Sequence, residues 1–475
     1  MKNLAYILII GVCLSGCASY YQRYEKFQSR VTEGKLDEAE KLLESDKRIQ
    51  KNRNRLLYLL NMGFINHLQQ DFALSNEYFN EADLLIEDYN KKLGSEALAL
   101  ISNPEVKPYR AEDFEEVMIH YYKALNYLNL KDFDASLVEA RRMNLTLNRL
   151  DDKFKDRKNK YQVDAFAHIV MGLSYEASGQ LNDAFIAYRN AYEIYAGERG
   201  YFGLECPDQL KQDILRLAVQ LGFQSEVEYY EKQFGFTYKE VARDHGEAII
   251  FWNNGMGPVK DEWSINFFAI DGEAGYINFT NTDLGLTFPI HVGDDEKKRQ
   301  DLLALRVIRV AFPKYVERPT YYERAFVMMD GKRFAVEQVE DVNAIAFKSL
   351  EDRFIREVST SLLRLALKKV AEYELQKQNE AIGALATIAN AVTEKADTRN
   401  WQTLPHSISY SRVPLNKGSN TLKLHMVRTN TKEADVATFE FNGDAGSMHF
   451  LPYHSLEHLP MAYWDRAAGN RVEYK

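Results

Sequence analysis

Three histidines near the C-terminus form the densest group of side chains in this sequence that could hold a metal ion. The run "MHFLPYHSLEH" contains His449, His454 and His458. Imidazole nitrogens bind zinc and other transition metals, but this spacing matches no standard site. Pro452 also prevents the three rings from sharing one helix face. We therefore expect a polar C-terminal edge here, with no bound metal and no cofactor.

The short motifs of common hydrolases and nucleotide-binding enzymes are missing. The sequence contains no GxSxG, HExxH, Walker A or Rossmann glycine pattern. Cys206 would need a nearby histidine to act as a nucleophile, and "CPDQL" is more typical of a loop and helix start with Pro207 in the first turn. The acidic residues are expected to lie on solvated helix surfaces. The sequence therefore predicts a protein that is not an enzyme.

A cysteine follows directly on a short apolar run at the N-terminus. Leu4 to Leu14 is almost wholly apolar, but it is too short to cross a bilayer, which needs about 20 helical residues. A charged start, a short apolar core and small residues before a break are typical of a secretory signal peptide. Its end, "LSGC", resembles the bacterial lipobox, which implies cleavage after residue 16 and acylation of Cys17.

Acylation of Cys17 would hold the mature protein on a membrane, because several acyl chains bury enough CH2 groups for stable anchoring. Ala18 follows the cysteine. In the Gram-negative sorting rule that this resembles, a residue other than Asp there implies the outer membrane. We expect a lipid-anchored protein that faces the periplasm. The alternative is an ordinary signal peptide with a chance cysteine.

Composition limits the remaining possibilities. Removal of residues 1–16 leaves 459 of the 475 residues, which suits two or three domains. The net charge is -9, so nucleic acid is an unsuitable partner. No later run of 18 apolar residues could span a membrane. Cys206 would be left without a second free cysteine, so no intramolecular disulfide is expected.

Residues 17–240 are predicted to form a helical repeat domain. Apolar residues recur at i, i+3 and i+4, and small and aromatic residues recur at the spacings of the tetratricopeptide pattern. The turns "EGKLDEA", "QQDFALS", "LKDFDAS" and "SGQLNDA" are alike. The predicted packing positions are Gly63, Ser75, Phe79, Ala82, Gly172, Tyr175, Ala184, Tyr188 and Ala191, and weaker matches are Ala39, Ala124, Tyr127, Ser136 and Ala140.

The repeat is not strict. From Ala39 to Ser75, Ser136 and Ala184 the steps are 36, 61 and 48 residues, whereas the ideal repeat has 34. Insertions near 90–110 and 148–162 would account for the longer steps. A generic α-helical domain is the alternative. A solenoid of this kind would present a concave surface that binds protein segments.

Residues 245–475 are predicted to form a β-rich α+β domain with a helical insert at about 343–395. The end of this helix, Ala381 to Val392, is rich in small residues; we expect it to pack on the sheet, and a membrane-dipping segment is the alternative. The predicted strands are 247–253, 263–270, 274–280, 285–291, 302–311, a hairpin over 321–337, 407–413, 419–427, 435–441 and 447–452.

Three stretches carry a resemblance to a known group of proteins. They are "RLLYLLNMGFINHLQQDFALSNEYFNEAD", "GEAIIFWNNGMGPVK" and "ADTRNWQTLPHSISYSRVPLNKGSNTL". Together they resemble a family of uncharacterised bacterial envelope lipoproteins with N-terminal tetratricopeptide-like repeats and a C-terminal β-rich domain. The resemblance covers nearly the whole chain and implies no enzymatic activity. It also implies an association with penicillin-binding-protein activator lipoproteins.

The motif most specific to that resemblance contains Asp397, Arg399 and Trp401. Asp397 could turn the chain out of the long helix, with its carboxylate held by Arg399 or by backbone N–H groups. Trp401 would then fill the junction between the helix and the sheet. The alternative to this structural role is a Trp–Arg platform for a sugar or a glycan strand.

Taken together, the sequence predicts an outer-membrane lipoprotein that acts as a protein-binding scaffold or tether. Its repeat domain would recruit an envelope protein, in peptidoglycan or surface-polymer assembly. The alternatives are an envelope glycan hydrolase or transferase with its site in the C-terminal domain, and a subunit of an export assembly. The sequence does not determine the oligomeric state.

Overall fold

The computed structural model shows a helical half followed by a β-rich half. It describes residues 20–47, 49–50, 53–92, 107–153, 164–197, 200–241, 243–293, 296–304, 307–378, 396–459, 462–465 and 470–473. Cys17 and the helix end Ala381 to Val392 lie outside these residues. Across the residues described, no helix is long and apolar enough to cross a membrane.

The described part of the helical half contains five helix pairs. Each pair packs against the next, so the pairs stack into a solenoid. This arrangement confirms the predicted tetratricopeptide-like fold of the N-terminal half. The first and second helices of the pairs are α1 Tyr20–Thr32 and α2 Leu36–Ser45, α3 Arg55–Leu68 and α4 Phe72–Lys92, α5 Asp113–Asn129 and α6 Phe133–Lys153, α7 Ala165–Ala177 and α8 Leu181–Tyr195, and α9 Asp208–Gln220 and α10 Gln224–Phe234.

All five turns between paired helices share one backbone conformation. The second residue after each first helix has a positive φ, and the next residue donates its N–H to the carbonyl five positions earlier, which is the Schellman arrangement. The positive-φ residues are Gly34, Gln70, Lys131, Gly179 and Gly222. The common turn explains why four of these sequences look alike.

The small residues predicted to pack the repeats lie where paired helices touch. A Cβ atom on Gly63 would lie 2.7 Å from the Phe79 ring, and one on Gly172 would overlap the Tyr188 ring. Ser75 reinforces the second pair, because its hydroxyl donates to the Gly63 carbonyl at 2.7 Å. In these two pairs, the aromatic ring of the second helix therefore occupies the space that a side chain on the first helix would need.

The structure also explains why the repeat looks irregular in sequence. Helices α4 and α6 have 21 residues each, whereas α8 has 15, and the longer second helices lengthen the repeat. The fifth pair was not predicted as a repeat. At the positions that correspond to Gly172 and Ala184, this pair has the larger residues Leu215 and Val227. The small residues that reveal a repeat in the sequence are therefore missing, although the turn has the same backbone hydrogen bond.

The β-rich half begins with a seven-stranded sheet whose two edge strands come close together through side-chain contacts, and we call this sheet the barrel. Its order is β10-β9-β6-β7-β8-β1-β11, and β1 pairs with β11 in parallel while the other described pairs are antiparallel. The edge strands β10 and β11 meet, because the His449 Nε2 atom lies 3.0 Å from the Asn442 carbonyl. The strands are β1 Glu247–Asn254, β6 Tyr322–Met329, β7 Lys332–Glu340, β8 Ser407–Pro414, β9 Gly418–Arg428, β10 Ala434–Gly443 and β11 Met448–Ser455.

A second sheet with the order β4-β3-β2-β5 packs against the long helix α12, Val342–Gln378. Phe354, Val358 and Leu362 of α12 join the core of this sheet. The strands are β2 Val259–Asp271, β3 Tyr276–Asn281, β4 Leu286–His291 and β5 Val307–Val316, and a separate hairpin contains β12 Ala462–Asp465 and β13 Asn470–Glu473. The predicted α+β class of the C-terminal half is confirmed.

Two details of this half differ from the sequence prediction. The predicted strand 302–311 is in part helical, because α11 covers Glu296–Ala304 and buries Leu302 against the four-stranded sheet before β5 begins at Val307. The hairpin of β12 and β13 was not predicted, since its strands have only four residues each. The helical insert is described from Val342 to Gln378, and the rest of 343–395 lies outside the described residues.

The two halves share one hydrophobic core. The largest buried cluster contains side chains from every helix pair together with Ile249, Phe251, Tyr410 and Phe450 of the barrel. A second cluster, with Trp252 and Leu424, fills the barrel interior. The outer face of β1, β8 and β11 thus completes the core of the solenoid.

We predict that Lys131→Gly stabilises the protein by about 0.5–1 kcal/mol. A non-glycine residue at φ 59° is strained, and glycine relieves that strain at some cost in unfolded-state entropy. Urea unfolding monitored by circular dichroism would measure the change. Lys131→Ala is the matched control, because it removes the side chain but keeps the Cβ atom. Equal stability of the two variants would contradict the prediction.

Candidate functional site at the junction of the two halves

The surface made by the first helices of the pairs is covered by the chain's own C-terminal half. The Tyr121 hydroxyl of α5 donates to the Asn253 amide oxygen of β1 at 3.1 Å. Phe166 of α7 lies 6.3 Å from Phe251 of β1, measured between ring centroids. In tetratricopeptide-like solenoids this surface is the concave side on which peptides bind. The concave surface predicted to recruit a partner is therefore occupied by the barrel.

A segment without helix or strand, residues 396–406, runs through this junction, and we call it the strap. The Trp401 backbone N–H donates to a Glu115 carboxylate oxygen at 2.7 Å, and the Trp401 ring packs 5.8 Å from both Phe79 and Tyr122. The Thr403 hydroxyl lies 3.0 Å from the Asn61 amide oxygen. The strap thus covers part of the solenoid surface on which a ligand peptide would lie.

The structure brings Asp397 and Arg399 of the strap together, whereas Trp401 packs against the solenoid. Arg399 donates to both carboxylate oxygens of Asp397, at 2.8 and 2.6 Å. It also donates to the Arg53 and Lys107 carbonyls, which lie on the solenoid. Arg399 is 3% exposed and Trp401 is 1% exposed. Neither side chain presents a surface to solvent, so this structure does not display them as a platform for a sugar.

A first group of buried charges joins α5 to β2 and α12. Glu112, at the N-terminus of α5, contacts both the Lys260 ammonium and the Arg353 guanidinium. Glu115 completes a capping box by accepting the Glu112 backbone N–H at 2.9 Å, and it also accepts the Tyr109 hydroxyl. The negative charges lie where the helix dipole favours them.

The two carboxylates of this group have opposite pKa shifts. Burial opposes ionisation of Glu112, but the Arg353 and Lys260 charges outweigh burial and lower its pKa to about 2. Burial and the neighbouring Glu112 charge raise the pKa of Glu115 to about 7. Such a pair could act as an acid and a base in an accessible cleft. Here both residues are buried under the strap, so the arrangement favours a structural role.

A second group of buried charges joins the barrel to α7 and α9. Arg412 of β8 contacts Asp213 at 2.8 Å and Glu176 at 2.9 Å, and its Nε atom lies 3.6 Å from Glu247. Arg216 also contacts Glu176 at 2.7 Å. Burial opposes ionisation of Glu176, but the Arg412 and Arg216 charges lower its pKa to about 2. This group ties the inside of the solenoid to two barrel strands.

A pair of histidines also faces across the junction. The rings of His67 on α3 and His454 on β11 are 5.3 Å apart, and Tyr122 packs against both. The His67 Nδ1 atom lies 2.6 Å from the Asn126 amide oxygen, while the Nε2 atoms of both histidines are buried. Burial lowers the pKa of His67 to about 4, and it lowers that of His454 well below its usual value. The pair is therefore neutral near pH 7.

The three C-terminal histidines do not converge on one point. His449 bonds to Asn442, His454 faces His67, and the His458 Nδ1 atom lies 2.8 Å from the Leu459 carbonyl. Among the residues that the structure describes, no group of three or more His, Cys, Asp or Glu side chains is arranged to hold a metal ion. Cys206 is a free, partly buried thiol, and burial raises its pKa to about 12.

Sequence reasoning missed the charged residues of the junction. Glu176 and Asp213 were expected to be solvated, as were Glu112 and Glu115, but all four lie in the interior. One residue in the sequence could have indicated them. Arg412 is the only charged residue in the strand "SISYSRVP", whose other residues can be buried without a charged partner. A buried charge requires a partner, so its presence predicts carboxylates elsewhere in the chain.

Neither a protein-family model nor a curated protein sequence matches the chain. Solved structures with similar helices include apo RapI, with 12% identity over 49% of this chain and 58% of RapI, at a TM-score of 0.34. MamA from Desulfovibrio magneticus RS-1 shows 16% identity over 45% of this chain and 92% of MamA, at a TM-score of 0.28. Because both TM-scores are below 0.5, the repeat assignment rests on the helix pairs themselves.

We predict that Arg412→Met destabilises the protein by about 3–5 kcal/mol, because it leaves Glu176 and Asp213 buried without their main cation. Arg55→Met is the matched control. It breaks an exposed pair with Glu81 and should cost less than about 1 kcal/mol. Chemical unfolding of both variants would measure the two effects. A loss below about 1 kcal/mol for Arg412→Met would contradict the prediction.

We predict that His67 makes the protein less stable in mild acid. Its folded pKa of about 4 lies below the usual 6.5, so the unfolded chain takes up the proton first and stability falls as the pH drops from about 6.5 to 4. Glu115, with a folded pKa of about 7, has the opposite effect: its contribution is lost as the pH rises from about 4.5 to 7.

His67→Gln isolates the histidine contribution from that of Glu115. On going from pH 7.5 to pH 5, the unfolding free energy of this variant should end roughly 2 kcal/mol higher, relative to its own value at pH 7.5, than that of the wild type. His449→Gln, at the barrel edge, is the control and should behave as the wild type. An unchanged pH dependence in His67→Gln would show that this ring does not set the acid sensitivity.

Proposed function

We propose that this protein is a lipid-anchored scaffold of the bacterial cell envelope. The observation that carries the proposal is the solenoid of five helix pairs joined to a barrel through one core, because such solenoids act as protein-binding surfaces. The "LSGC" sequence before residue 18 supports anchoring through Cys17. Anchoring would raise the concentration of a bound partner at the membrane.

The resemblance to envelope lipoproteins supports an outer-membrane location and a periplasmic orientation. It also supports a role beside the machinery of peptidoglycan or surface-polymer assembly. The strap and strand β1 already occupy the first-helix surface. An external partner would therefore bind the second helices of the solenoid or the outside of the barrel.

One pocket among the residues that the structure describes bears on the alternative of a glycan-acting enzyme. One open pocket of about 800 Å³ lies at the β2–β3 turn and contains the carboxylates of Asp271 and Glu273. The Asp271 carboxylate is held by Arg299 at 2.6 Å. An exposed, ion-paired carboxylate lacks the enclosed cleft in which a pair of acids would cleave a glycan.

We predict that wild-type protein, crosslinked in living cells and purified from the membrane fraction, carries a specific envelope protein. Cys17→Ala should lose both membrane association and that partner, because anchoring places the two at one surface. Metabolic labelling with an alkyne fatty acid should mark the wild type only. Membrane retention of Cys17→Ala, or an identical set of captured proteins in both samples, would overturn the proposal.

A further inference from the structure

The outside of the barrel carries a group of cations around an apolar centre. Phe326 and Met328 of β6 point outward, since Ala325 and Val327 belong to the barrel interior. The strand register places Arg333 and Lys423 on either side of Met328. We call this surface the cationic patch, and it comprises Arg324, Phe326, Met328, Arg333, Lys423 and His425.

Planar stacking gives the patch a defined shape. The Arg333 guanidinium carbon lies 3.8 Å from the centre of the Phe326 ring. The His425 ring stacks on Phe326 at 4.9 Å with an angle of 5° between the planes. Stacking holds the guanidinium in place before any ligand arrives, which lowers the entropy cost of binding. With guanidinium and imidazole stacked on it, Phe326 is poorly placed to stack on a sugar.

The charge of the patch contrasts with that of the whole protein. The chain contains 69 acidic and 60 basic residues, so carboxylates are in excess. Even so, among the residues that the structure describes, neither Arg333 nor Lys423 has a carboxylate within ion-pair distance. Both side chains are exposed. The protein thus leaves these two charges available to a negatively charged ligand.

We propose that the cationic patch binds an acidic segment of a partner protein. Carboxylates of the partner pair with Arg333 and Lys423, which Phe326 helps to position, and an apolar side chain of the partner packs on Met328. Arg333 and Lys423 stand two strand spacings apart, about 10 Å, which two carboxylates on alternate residues of an extended segment can span. This inference rests on the proposed scaffold function and names the surface and the class of partner.

The composition of the patch favours a protein over a lipid surface. Aromatic residues, Met and Arg are enriched in the centres of protein interfaces and supply most hot spots. Patches that bind anionic lipid headgroups instead contain clusters of about 4–8 Lys and Arg residues. The patch has three such cations, Arg324, Arg333 and Lys423, around Phe326 and Met328. Anionic vesicles therefore serve as the competing probe.

The test measures binding of a labelled peptide of alternating Glu and Leu to residues 18–475 by fluorescence anisotropy, at about 50 mM salt to limit screening. The test variant is Arg333→Glu with Lys423→Glu. The matched control is Lys41→Glu with Lys239→Glu, which makes the same charge change on exposed residues away from the barrel. Sedimentation with vesicles containing anionic phospholipid is measured in parallel, and circular dichroism checks that each variant is folded.

We expect the patch variant to bind the peptide at least about tenfold more weakly and the control to change less than about threefold. Phe326→Ala should also weaken binding. The proposal falls if the wild type does not bind the peptide, if both double variants lose binding equally, or if the patch variant loses vesicle binding alone. If the Cys17-dependent partner is still captured by the patch variant in cells, the scaffold function stands and this assignment of its surface fails.

Discussion

Strand β1 is buried on both of its faces, and the arrangement of the whole molecule depends on this. Ile249 and Phe251 belong to the core shared with the solenoid, whereas Ile250 and Trp252 belong to the barrel interior. Each large apolar side chain of this kind contributes about 1.5–3 kcal/mol when it leaves water. Exposing either face of β1 to water would therefore cost several kcal/mol. For this reason we expect the two halves to unfold together.

Burial of that interface forces the charges within it to find partners. Arg412 meets two carboxylates from the solenoid and one from β1, and Glu112 meets cations from β2 and α12. Buried ion pairs add little net stability, because desolvation offsets much of the attraction. They do make other orientations costly, since any other placement would leave a charge unpaired. Apolar contacts thus supply most of the stability of the junction, and the buried charges determine how the two halves are oriented.

The same packing determines where another protein could bind. The strap and β1 cover the surface on which a solenoid of this type usually holds a peptide. The outward faces of β6, β7 and β9 carry the cationic patch. There Arg333 and His425 stack on Phe326, and among the described residues Arg333 and Lys423 have no carboxylate partner. In the scaffold that we propose, the solenoid supports the barrel, and a partner binds the outer surfaces.

Local patterns in the sequence determined much of the fold. Helix periodicity, four similar turns and the small residues at Gly63 and Gly172 defined most of the solenoid, because these signals act between residues close in the chain. Most of the strands, and the hairpin at Asp330, were likewise visible as β-branched and aromatic runs. The signal peptide and the acylation of Cys17 stay predictions from the sequence alone.

The tertiary structure alone decided how these elements meet. Arg412 and Asp213 are 199 residues apart in the chain, so no local pattern could pair them. Trp401 was visible as a specific residue, but its place on Phe79 and Tyr122 depends on the docking of the barrel. The sequence shows which surfaces are apolar enough to be buried. Which of these surfaces pack against each other depends on contacts between residues far apart in the chain. Here those contacts cover the concave surface that the repeats alone would have left exposed.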